Sequence, residues 1–142
     1  RGLGDVYKRQ DLNDLKRLSK KLRLKQISFE GFKDPKKYYS ESQIICMTSN
    51  IEGLPMVMIE AVSYGLIPLA FNSFESINDI IRDGTNGYLI KPFKLKQYAE
   101  RLNNLFNNES LRKEMSANAV KASKKFSVKN TIDQWEVLLS KI

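Results

Sequence analysis

The chain has 142 residues, 42% of them apolar and 28% charged, with a formal charge of +8 and no histidine. That length suits one domain with a sizeable core, and no apolar stretch is long enough to cross a membrane. The missing imidazole excludes Ser-His-Asp and Cys-His catalysis, most zinc sites and the commonest general base, and a single cysteine excludes a disulfide framework.

Residues 1–10 carry no apolar h-region, so a secretory signal is not expected there and a cytoplasmic location is the default. They share nothing of the rhythm that follows and are read as foreign lead-in, leaving residues 11–142 as the domain. Leu12, Leu15, Leu18 and Leu22 recur at helical spacing and predict a helix over residues 11–22. Lys16, Arg17, Lys20, Lys21, Arg23 and Lys25 crowd the same segment, with Lys33, Lys36 and Lys37 close behind. Such a run suits nucleic acid, an anionic membrane surface or a solvated helix face.

Residues 26–29 read as a short strand ending at Gly31, and Asp34-Pro35 opens a brief helix through Tyr38 and Tyr39. The continuous apolar run Ile44-Ile45-Cys46-Met47 predicts a strand covered on both faces, with Cys46 a buried, inert thiol. A polar loop, residues 48–53, leads to Pro55 and a helix that Gly65 ends with a left-handed cap. Residues 67–71 form the next strand, 76–82 a short helix, 83–87 a glycine turn and 88–90 a last strand. Helices follow over 95–107, 110–125 and 128–139. Tyr38, Tyr39 and Trp135 are read as packing groups. Strands alternating with helices predict a Rossmann-like α/β domain, a parallel sheet with helices on both faces and a helical C-terminal tail.

In such a sheet, ligands sit beyond the carboxyl ends of the strands. The loop Thr48-Ser49-Asn50-Ile51-Glu52-Gly53-Leu54-Pro55 lies there. Gly53 lets a ligand approach the backbone, and the amides of Met56 and Val57 are unpaired donors at a helix start. Glu52 and Glu60 bracket that start, and carboxylates accept from the adjacent hydroxyls of a sugar. Residue pattern alone leaves two readings open. Both acids could line one crevice, or Glu60 could belong to a solvated stripe with Ser63 while Glu52 screens the helix dipole. The loop 73–76 lies on the same side and is a candidate to touch sugar or acceptor.

Ser49-Asn50-Ile51-Glu52-Gly53-Leu54-Pro55, then Ile59-Glu60-Ala61 and Gly65-Leu66-Ile67-Pro68, resemble the signature of retaining glycosyltransferases of family 4 with the two-domain GT-B architecture. Seven residues separate Glu52 from Glu60, as they separate that family's paired glutamates. Phe29-Glu30-Gly31-Phe32, Asp79-Ile80-Ile81, Asp83-Gly84-Thr85-Asn86-Gly87-Tyr88-Leu89, and Phe126-Ser127 before a helix with Trp135 resemble its other segments in order. The resemblance implies the C-terminal, donor-binding half of such an enzyme. Glu52 would meet hydroxyls of the donor sugar near the reacting carbon, and Glu60 would hold the ribose. Backbone around Gly53, Leu54, Pro55, Met56 and Val57 would meet sugar and diphosphate. The base would lie near Gly31 and the Thr48-Ser49 loop. Transfer from a nucleotide sugar with retention is expected, in bacterial-type polysaccharide or glycolipid synthesis, with no cofactor and no obligatory metal.

Two departures stand out. The family's diphosphate-binding basic pair would fall upstream of Leu12, and its N-terminal acceptor domain is absent, so weak donor binding and little turnover are expected of this chain alone. A peripheral position at the inner membrane face is the membrane expectation. A basic nucleic-acid-binding module is the alternative reading, ranked below because no recognition helix or aromatic sheet face supports it. A sugar-nucleotide epimerase ranks lower still.

Overall fold

The computed structural model describes residues 11–141. The expectation that residues 1–10 are foreign lead-in lies outside the described residues. The chain divides after Asp34 into two compact units.

In the first unit, the leucine periodicity produces α1 (Leu12–Lys21), within a residue of the expected bounds. Leu22 closes it through its amide to the Leu18 carbonyl at 2.9 Å, and Arg23 turns the chain with φ 53°. Its cations stand exposed, Arg17 pairing with Asp14. Residues 26–29 correct the expectation: they form no strand, and Ile27 is exposed. Alternation describes which face a side chain would occupy, whereas a strand also needs a hydrogen-bonded neighbour. Among the described residues, 26–29 have no such ladder.

The second unit holds a parallel sheet in the order β1 (Ile44–Met47), β2 (Ile67–Phe71), β3 (Tyr88–Ile90). Before it stands α2 (Lys36–Glu41), opened by Pro35. Between β1 and β2 runs α3 (Met56–Ser63), and between β2 and β3 the short α4 (Ile77–Ile80). After the sheet come α5 (Leu95–Asn107), α6 (Glu109–Ser123), a 3-10 turn at Lys124–Phe126 and α7 (Val128–Leu139). None of these helices is long and apolar enough to cross a membrane.

Period-two alternation splits the side chains of β2 between two cores. Ala70 packs with Met58, Ile59 and Val62 of α3 and with Ile77 and Ile80 of α4. Ile67, Leu69 and Phe71 pack instead with Tyr98 and Leu105 of α5 and Met115 of α6. The sheet is therefore covered on both faces around β2. It is not so covered at β1, which is half-buried, and Cys46 is exposed rather than buried. β1 has a ladder partner on one edge only among the described residues, so its apolar run lacks the second neighbour that burial requires.

Two glycines fix close approaches. Gly65 ends α3 at φ 84°, its amide reaching the Val62 carbonyl while Leu66 reaches Ala61, a left-handed cap as expected. At Gly87 a Cβ would fall 2.3 Å from the Pro68 carbonyl oxygen, so only glycine lets the turn close on β2. Asn86 secures that turn from inside, accepting from the Arg82 amide at 2.7 Å and donating to the Ile80 carbonyl at 3.0 Å. Trp135 corrects another expectation. It is 57% exposed on α7, in an apolar row with Val128, Ile132 and Leu139, because no described residue covers that helix face.

Candidate functional site

Parallel strands leave the sheet at the same edge, so the loop after β1 and the loop after β2 emerge side by side. Two hydroxyls join them. Ser73 donates to the Ser49 carbonyl at 2.7 Å, and Ser76 donates to the carbonyl of Gly53. Both serines lie on the second loop, more than twenty residues along the chain from the carbonyls they hold. Loop 73–76 is a candidate to touch sugar or acceptor; its two serine hydroxyls also shape the loop that precedes α3.

Pro55 is buried and sits at the helix start, its carbonyl accepting from Met58 at 2.9 Å. No side chain caps α3. The amides of Met56 and Val57 come before that first bond, where helix geometry supplies no internal acceptor. Thr48, Asn50, Glu52, Gly53, Leu54, Met56 and Val57 are exposed and Ser49 is partly buried. A Cβ built on Gly53 meets nothing within 4 Å, which leaves open space above the backbone.

Glu52 stands exposed in this loop and Glu60 exposed in the second turn of α3. The Tyr39 ring is buried against Ala61 and Leu66, and its hydroxyl lies 3.3 Å from Glu60 Oε2 and 3.4 Å from the Val57 carbonyl. Burial, then the negative charge of Glu60 and the hydrogen bond to it, push the Tyr39 phenol above its ordinary pKa. Ser63 donates to the Glu60 backbone carbonyl at 2.6 Å, so its hydroxyl is turned inward on the helix. Gly31, at φ 71°, belongs to the first unit.

Tyr39 packs as the sequence predicts, with a hydroxyl contact beyond that expectation, and Ser73 and Ser76 gain a supporting role. Short-range pattern holds no signal for either, since the bonds join elements far apart in the chain. A cavity of about 230 Å³ lined by Gln43, Tyr64, Gly65, Arg112 and Lys113 opens at the other edge of the sheet, where β1 and β2 begin.

Comparison with protein families matches residues 3–122 to the family described as glycosyl transferases group 1. The chain belongs to that family. An uncharacterized glycosyltransferase of Haemophilus influenzae is 32% identical over 102 residues, 72% of this chain and 29% of that protein. The amylovoran biosynthesis glycosyltransferase AmsD of Erwinia amylovora is 35% identical over 103 residues, again 72% of this chain and 29% of the relative. The chain thus spans under a third of the length of these curated relatives.

Among solved structures, the C-terminal domain of the group 1 protein LpcC from Francisella tularensis superposes with TM-score 0.74 at 27% identity, covering 84% of this chain and 65% of that one. TarM of S. aureus, solved with UDP, gives 0.83 at 26% identity over 91% of this chain and 27% of that one. Anabaena HepE with UDP gives 0.87 over 96% of this chain and 38% of that one, and at 23% identity speaks for the fold. The α/β unit with its helical tail is the C-terminal half of the GT-B architecture. In this group 1 domain, the serine-fastened loop and α3 carry the residues singled out by sequence.

Proposed function

We propose that the chain is the donor-binding half of a longer glycosyltransferase, which moves a sugar from a nucleotide-sugar donor to an acceptor with retention of configuration. One observation carries the reading: in a group 1 domain, Glu52, Gly53 and Glu60 share the loop-and-helix segment at the carboxyl edge of the sheet, in an order that resembles the family signature. Glu60 holds the ribose through its free carboxylate oxygen, and Glu52 accepts from donor-sugar hydroxyls near the reacting carbon. Carboxylates suit both tasks because each oxygen accepts from adjacent hydroxyls.

The amides of Gly53, Met56 and Val57, with the flanking Leu54 and Pro55, face the sugar and diphosphate. Thr48 and Ser49 border the base. Fixed amides meet the charge that builds on a leaving diphosphate without reorganising during the reaction. The reading includes no metal and no cofactor, and further cations on the diphosphate come from outside residues 11–142. TarM, solved with UDP, supports a nucleotide donor. Relatives named for amylovoran and for poly(glycerol-phosphate) glucosylation support a cell-surface polymer as the acceptor class. An acceptor domain is the main partner, and a cytoplasmic protein touching the inner membrane surface is the matching location.

The experiment uses the full-length transferase that carries this domain, with its donor turnover and product stereochemistry measured. Glu60→Ala is expected to raise donor KM about tenfold, and Glu52→Gln to lower kcat about a hundredfold, the scale of losing one transition-state contact. Added chelator should leave the rate unchanged. Unchanged donor affinity and rate in both variants would remove the site assignment.

A further inference from the structure

We infer that Tyr39 is a positioning residue for the nucleotide: the hydroxyl of its buried ring fixes the Glu60 carboxylate in the orientation the ribose meets. This rests on the reading of Glu60 as the ribose acceptor. The ring itself has little freedom. It is 6% exposed, packed with Ala61 and Leu66, and the Tyr64 ring tilts against it with centroids 5.6 Å apart. Its oxygen emerges from that apolar cluster at Glu60 Oε2 and at the Val57 carbonyl, 3.3 and 3.4 Å away.

Glu60 is the mobile partner. An exposed glutamate on a helix samples several rotamers, and ordering it when ligand arrives costs binding free energy. A phenol held on one carboxylate oxygen removes part of that cost in advance and leaves the other oxygen free for the ribose hydroxyls. The phenol also stays protonated, and so stays a donor, because burial and the neighbouring carboxylate both raise its pKa. The Val57 carbonyl belongs to the first turn of α3, the turn whose amides face the diphosphate in the proposed function. The phenol has one proton to donate, to Glu60 or to that carbonyl, and so sits where the ribose acceptor meets the helix start.

The test uses the full-length transferase with UDP and GDP, taking whichever the wild type binds more tightly, and with the 2′,3′-dideoxy form of the same nucleotide. Tyr39→Phe keeps the packed ring and removes only the hydroxyl. It is expected to weaken nucleotide binding about fivefold, to leave the dideoxy nucleotide unaffected, and to raise donor KM more than it lowers kcat. Combined with Glu60→Ala it should add nothing further. Equal weakening of both nucleotides would make the hydroxyl a structural support and overturn the inference. So would full additivity in the double variant, or unchanged binding in Tyr39→Phe where Glu60→Ala does weaken it. If Tyr39→Phe proves too unstable to assay, Glu60→Gln, which keeps an acceptor for the phenol, should retain more affinity than Glu60→Ala, and equal losses count against the inference. A Glu60→Ala variant that binds normally fails the underlying ribose assignment instead, a distinguishable result.

Discussion

β1 and β2 are paired residue for residue, Ile44 with Ile67 through Met47 with Ala70, yet their surroundings differ sharply. Every residue of β2 is buried, whereas β1 is half-open and exposes Cys46 opposite the buried Leu69. Both stretches are apolar enough for a sheet interior. β2 has a strand on each side, helices above and below, and two separate cores fed by its alternating side chains. β1 has one ladder partner among the described residues. An apolar run therefore specifies the tendency to be buried, and the neighbours decide whether burial is reached. The steepest test truncates the covered side. Leu69→Ala should cost about 3 kcal/mol, since a fully buried leucine leaves both lost contacts and a cavity. Urea unfolding of the chain measures it, and a cost below about 1 kcal/mol would show β2 as loosely held as its partner.

The same contrast explains what could be read from the residues beforehand. α5 and α7 begin and end at the expected bounds, and Gly65 closes α3, because helical spacing and a glycine cap act within one or two turns. Residues 26–29 misled, since alternation cannot show whether a ladder partner is present. An ordered family pattern singles out the loop from Thr48 to Pro55 and both glutamates, and the fold sets them on one loop and the helix after it. Their supports carry no such signal: Tyr39 lies 21 residues from Glu60, and Ser73 lies 24 from Ser49, so only the folded chain joins them. Gly65 offers an intermediate test on the covered side. Alanine there would hold a left-handed φ of 84° and set a Cβ 2.9 Å from Ser116 Oγ on α6. A loss of about 1.5 kcal/mol is expected in the same unfolding assay. A neutral result would mean that α6 and the cap yield as readily as β1 does.

Cys46 gives the smallest energetic effect and the sharpest reading of the open side. Cys46→Ala should cost about 0.5 kcal/mol, because an exposed side chain surrenders little area on truncation. The thiol also reports directly on access. Protein around the sulfur desolvates the thiolate and raises the Cys46 pKa, while the Tyr98 hydroxyl, which also reaches the Leu69 carbonyl at 2.6 Å, opposes that rise. A raised pKa means less thiolate at neutral pH, and the thiolate is the nucleophile. Alkylation by iodoacetamide should therefore proceed in the folded chain, slower than a free peptide thiol at pH 7, and accelerate toward a midpoint above the ordinary thiol value. The rate should not change as mild urea is added, since no unfolding is needed to expose the sulfur. A thiol that reacts only in step with global unfolding would mean β1 is as sealed as β2, and the asymmetry of the sheet would be lost.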